Sequence, residues 1–185
     1  MSYDFEKMTN EELNELCEQY LHGTDGVEEN PAEAAAIAKL SADRGDAKGQ
    51  FSYATFLHDG LGVEKNDAAA LEYWQKSADQ DYPAALAILG LCMLNGLCGV
   101  EKDPEKAVAY FKKAAELGHG DSYFHLAMTY RDGIGVEKNA ALAEKYLVMA
   151  AEKKVPIACL SLALKKITEK KGNDDEPQDC ILQIT

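Results

Sequence analysis

One short string, written four times, constrains this chain more than anything else in it. Gly60-Leu61-Gly62-Val63-Glu64-Lys65-Asn66 has counterparts at 23–30, 96–103 and 133–139. The valines Val27, Val63, Val100 and Val136 stand 36, 37 and 36 residues apart, each followed directly by a glutamate. A period of that size means that whatever one copy folds into, its neighbours fold into as well.

The flanks recur in register. Ahead of each loop lie Leu13, Leu16, Cys17, Tyr20; Gln50, Tyr53, Ala54, Leu57; Leu86, Leu89, Gly90, Met93; and Tyr123, Leu126, Ala127, Tyr130. After each loop come Ala34, Ile37, Ala38, Ser41, Ala42; Ala70, Tyr73, Trp74, Ser77, Ala78; Ala107, Tyr110, Phe111, Ala114, Ala115; and Ala143, Tyr146, Leu147, Ala150, Ala151. Offsets of three and four put each set on one helical face. Each unit therefore reads helix, loop, helix, and a unit of two helices cannot bury its apolar face without a neighbour.

The small residue of the first helix (Ala54, Gly90, Ala127), the glycine-valine loop, and the aromatic and Ala-Ala run of the second helix resemble the Sel-1-like repeat family, relatives of the tetratricopeptide repeats. The resemblance covers about residues 10 to 154, four times over. It implies an all-α fold, a right-handed α-α superhelix of four repeats with a capping helix. The expected order is an extension at 1–9, repeats at 10–45, 46–81, 82–118 and 119–154, a capping helix at 155–171, and a flexible acidic tail at 172–185.

Local chemistry supports the same boundaries. Thr9 and Glu12 read as a capping box at the start of the first helix. In each loop a glycine can take the left-handed conformation that ends a helix, and Asn30, Asn66, Asp103 and Asn139 are natural N-caps for the next. Gly62, Val63, Gly99, Val100, Gly135 and Val136 are thus expected to be structural, with each valine plugging the space between two helices. Gly133 to Lys138 lacks the spacing of a phosphate-binding loop. Two departures stand out: Asp81 and Lys154 replace the glycines found at 45 and 118, a change expected to alter the tilt between units. Loops one and three also carry one residue more than loops two and four.

The 46% hydrophobic content is that of a folded chain, and a net charge of −13 argues against nucleic acid or an anionic membrane as partner. The longest apolar run, Pro83 to Leu94, is too short to span a bilayer. The acidic start predicts no signal peptide. Five cysteines, Cys17, Cys92, Cys98, Cys159 and Cys180, keep no fixed place in the repeats. Secreted cysteine-rich members of the family carry a pair in each repeat. Its absence points to a reducing, cytoplasmic setting.

Function is expected on the concave surface, which first helices line in tetratricopeptide-like stacks. The core leaves Asn14, Glu18, Leu21; Phe51, Thr55, His58; Ala87, Leu91, Leu94; Phe124, Met128, Arg131; and Leu160, Leu164, Ile167 facing it. Phe51, Thr55, His58, Leu91, Leu94, Phe124, Met128 and Arg131 are the candidate partner-binding residues, with Glu18, Asp59 and Asp121 as an acidic rim. Phe51, Leu91 and Phe124 could equally pack between adjacent first helices. The expected partner is a protein, presented as a peptide or amphipathic helix or as a second copy of the chain. The resemblance implies the same scaffold role.

No cofactor, metal site or catalytic set is expected. The four histidines occupy different places in their units, and no His-x-x-x-His or Cys-x-x-Cys spacing occurs. The β-lactam-hydrolysing activity assigned to cysteine-rich relatives does not carry over, because both the cysteine framework and a Ser-x-x-Lys are missing. A carrier of an apolar ligand would use the same groove. A tail folded back through Ile181, Leu182 and Ile184 would gate it.

Overall fold

The structure, a computed structural model, describes residues 4–173, and side chains as far as 166. Among the described residues there are nine α-helices and no strand. They are α1 Asn10–His22, α2 Pro31–Asp43, α3 Ala47–Asp59, α4 Asp67–Asp79, α5 Pro83–Asn95, α6 Pro104–Glu116, α7 Gly120–Asp132, α8 Ala140–Glu152 and α9 Pro156–Asn173. Each packs on the next, so the chain is an α-solenoid of helix pairs.

The ends of the helices follow from their residues. Thr9 and Glu12 form the reciprocal capping box of α1. Asn30, Asn66, Asp103 and Asn139 accept from the backbone N–H three residues on, at 3.0–3.2 Å. Gly23, Gly60, Gly96 and Gly133 end the first helices in the left-handed conformation. Each loop is then clasped by one hydrogen bond, from the N-cap N–H to the carbonyl of Tyr20, Leu57, Met93 or Tyr130, at 2.7–2.8 Å. The clasp recurs because the sequence recurs.

Residues 81 and 154 keep the turn that glycine makes elsewhere. Asp81 (φ 61°) and Lys154 (φ 62°) sit in the same left-handed region as Gly45 and Gly118. The backbone at these turns is conserved and the side chain carries the strain, about 1 kcal/mol for a non-glycine residue. Asp81 also pairs with Lys113 of α6.

The core is a row of clusters, not a single ball. Leu13, Leu16, Cys17, Ile37 and Phe56 form the first, and Leu57, Trp74, Leu86, Leu89 and Cys92 the second. Val108, Phe111 and Leu126 make the third, and Ala150, Val155 and Ala158 close the fourth against α9. Gly90 is forced by this packing: a Cβ there would stand 2.6 Å from the ring of Phe111. The all-apolar α5 is covered chiefly by its neighbours, with Ala85, Leu86, Ala87, Leu89, Gly90 and Cys92 buried and Ile88, Leu91, Met93 and Leu94 half-buried. No described helix is long and apolar enough to cross a membrane. The tail residues Ile181, Leu182 and Ile184, and the side chain of Ile167, lie outside the described residues.

Candidate functional site

A cleft of about 210 Å³ opens between α1 and α3. Leu21, Phe51, Thr55 and Phe56 line it, Glu18 and Asp59 bring carboxylates to it, and Leu61 of the second loop contributes from one end. The first helices supply these side chains at helical spacing, Glu18 and Leu21 from α1 and Phe51 and Thr55 from α3. Leu61 is exposed on the loop that Gly60 turns out of the helix.

The other candidate residues are distributed differently. Leu91 and Leu94 are half-buried against the core of Val108, Phe111 and Leu126. Phe124 packs on the α8–α9 cluster and edge-on to His125, with centroids 6.1 Å apart. Phe51 leans on Tyr82 at 5.3 Å as well as lining the cleft. Packing between units thus takes one side of these residues. Met128 is half-buried, and Arg131 is exposed with its guanidinium doubly bonded to Asp132 at 2.7 and 2.8 Å. Leu160 and Leu164 stand on the open face of α9.

His58 belongs to a different constellation. Its Nδ1 lies 2.7 Å from Asp67 Oδ1, at the first position of α4, and 3.7 Å from the Sγ of Cys98 in the third loop. Its ring also packs on Trp74, with centroids 5.3 Å apart. Cys92 of α5 is a buried free thiol, and Cys98 is half-buried. The hydrogen bond from His58, ahead of any other influence, holds the Asp67 carboxyl below its ordinary value.

Spacing alone could not reveal this cluster, since its members come from three segments up to 40 residues apart. The one available signal was the additional residue of loop three. It places Cys98 in the left-handed region (φ 54°), where the shorter loops have no equivalent.

The arrangement is not that of a nucleophile and its base. A thiol–imidazole–carboxylate relay needs the carboxylate on one ring nitrogen and the thiol on the other. Here both approach Nδ1. Burial also pushes the Cys92 thiol up to about 12 and the Cys17 thiol up to about 12, opposite to what an activated cysteine requires. Cys17 instead donates to the carbonyl of Ala34 at 3.3 Å.

The Sel1 repeat family matches four consecutive segments, residues 13–46, 47–82, 83–119 and 120–155. The chain belongs to the Sel1 repeat family. Among solved structures it is similar to a Sel1 repeat protein from Oxalobacter formigenes, with TM-score 0.76 and 30% identity, covering 81% of this chain and 60% of that one. It is also similar to a protective antigen of uropathogenic Escherichia coli with an SLR fold, with TM-score 0.77 and 31% identity, covering 88% of this chain and 35% of that one. Among curated proteins it is 31% identical over 139 residues to cytochrome c oxidase assembly factor 7A of Xenopus laevis, 72% of this chain and 60% of that protein. It is 30% identical over 112 residues to chitin synthase regulatory factor 3 of Schizosaccharomyces pombe, 60% of this chain and 12% of that protein. The chain thus spans 60% of the length of the first of these curated relatives and 12% of the second.

Proposed function

We propose that this Sel1 repeat chain is a non-catalytic interaction scaffold that receives a peptide or amphipathic helix along its first helices, with the α1–α3 cleft as the anchoring site. The observation that carries this reading is the pairing of an apolar floor, Leu21, Phe51 and Phe56, with the carboxylates of Glu18 and Asp59 at one open cleft. An apolar anchor flanked by basic residues is the complementary ligand, since the acids steer and select while the buried contact holds. Thr55, Leu91, Leu94, Phe124, Met128 and Arg131 extend the surface towards α9 in this reading. The names of the relatives, an assembly factor and a regulatory factor, fit a protein whose work is to hold others.

The test is affinity capture from a lysate of the source cell with the chain and with a Leu21→Glu, Thr55→Arg variant. Both positions are only half-buried, so the fold should survive, and circular dichroism checks it. A protein retained by the first and lost by the folded variant supports the cleft. Equal retention by both moves the binding surface elsewhere, for example to the apolar hollow of about 540 Å³ lined by Leu71, Leu89, Met93 and Val100.

A further inference from the structure

The side chains around His58 converge in a way that ordinary packing does not require. His58 Nδ1, a carboxylate oxygen of Asp67 and Cys98 Sγ all lie within 4.8 Å of one another. A tetrahedral zinc ion with Zn–N near 2.05 Å and Zn–S near 2.3 Å sets its nitrogen and sulfur about 3.6 Å apart. The Cys98–His58 separation is 3.7 Å. The carboxylate and imidazole are closer, at 2.7 Å, a hydrogen-bond distance that must open by roughly 0.7 Å to admit a metal between them. Asp67 is about two-fifths exposed, which leaves its side chain room to turn on the solvent side.

We propose that His58, Asp67 and Cys98 form a three-residue site for a borderline divalent cation, zinc by preference, that ties the second unit to the third, with water completing the coordination. The donors are one imidazole, one carboxylate and one thiol, a set that suits zinc and is too soft for magnesium or calcium. The Cys98 thiol releases its proton on binding, and the ion takes its place. Around the site, Lys65 lies 3.5 Å from Asp67 and is the cation it would displace. Buried Trp74 packs on His58, and its indole N–H has no partner among the described residues. Two donors, His58 and Asp67, come from the second unit and one, Cys98, from the third. Bound metal therefore clamps the joint between units, on which repeat stability depends. This site is independent of the cleft and does not rest on it.

The probe is cobalt(II), followed by zinc competition, on the full chain kept reduced by a phosphine and stripped of metal. The expected result is one ion per chain. Thiolate-to-cobalt absorbance in the near ultraviolet should appear with tetrahedral visible bands, Trp74 emission should be quenched, and zinc should reverse all of these. Trp74 is the single tryptophan of the chain, so its emission reports this site alone. Cys98→Gly is the decisive variant, because glycine prefers the left-handed backbone of residue 98 and the fold should not suffer. It should abolish the thiolate band and the quenching. Cys92→Ala should leave the band in place, because its thiol is not among the converging donors. Cobalt spectra without a thiolate band, or equal binding by Cys98→Gly, would overturn the proposal. A band lost in folded Cys92→Ala would likewise overturn it, since the thiolate would then be that of Cys92.

Discussion

The second and third loops differ by one residue, and each completes a different site at the joint with the unit before it. In loop two Gly62 is seated on the start of α2. A Cβ there would stand 2.2 Å from the carbonyl oxygen of Pro31, and φ is +70°. The loop is pressed backbone to backbone, and its neighbour Leu61 is left lining the α1–α3 cleft. In loop three the corresponding Gly99 has open space around it, and the inserted Cys98 bridges to His58 through its side chain. Loop four repeats the tight seat, Gly135 against Pro104, and loop one the longer form, with Asp25 at φ 54° accepting from Gln19 of its own helix. Loop length thus decides how a unit meets its predecessor, and the residue that the longer loop adds decides what chemistry the joint carries.

The largest effect that would test this contrast is Gly62→Ala. Left-handed strain of roughly 1–2 kcal/mol adds to overpacking of roughly 1–3 kcal/mol, so a loss of about 3 kcal/mol in urea unfolding is expected. Gly99→Ala should cost only the strain, about 1 kcal/mol. Equal losses in the two would end the distinction between pressed and open loops. The caps that the loops share should behave alike. Asn66→Ala and Asp103→Ala are each expected to lower stability by about 1 kcal/mol, and a large difference between their thermal midpoints would mean that loop length reaches further into the helices than the clasp suggests. Smallest is Cys98→Gly in the metal-free chain. Relief of about 1 kcal/mol of strain is partly offset by the greater freedom of unfolded glycine, roughly 0.5 kcal/mol, leaving a gain of about 0.5 kcal/mol. A destabilised variant would show that the Cys98 contacts outweigh its backbone strain even without an ion.

Much of the architecture was legible because the repeat states it four times. Val63, the clasped Asn66 and the small core residues Ala54, Gly90 and Ala127 each had three counterparts to be read against. The floor of the cleft was partly legible too, since the three- and four-residue spacing places Phe51 and Thr55 on one face and Glu18 and Leu21 on another helix at matching positions. Leu61 was not, because a loop residue has no helical face to read. His58 shows the opposite limit. Its direction along α3 follows from spacing, but its neighbours do not, and loop three brings a thiol to it that no pattern within a unit announces. The strained turns at Asp81 and Lys154 teach a similar lesson. Substituting a glycine did not change the backbone, because the packing of helices on both sides over-determines it.

The central claim is that the joint between the first two units, finished by loop two, is where a partner sits. Hydrogen exchange of the chain with and without its captured protein partner tests it most directly. The account predicts that slowing on binding will concentrate in residues 14–21 and 51–61, the walls of the cleft. Slowing confined to the second helices α4, α6 and α8, with those two stretches unchanged, would contradict it.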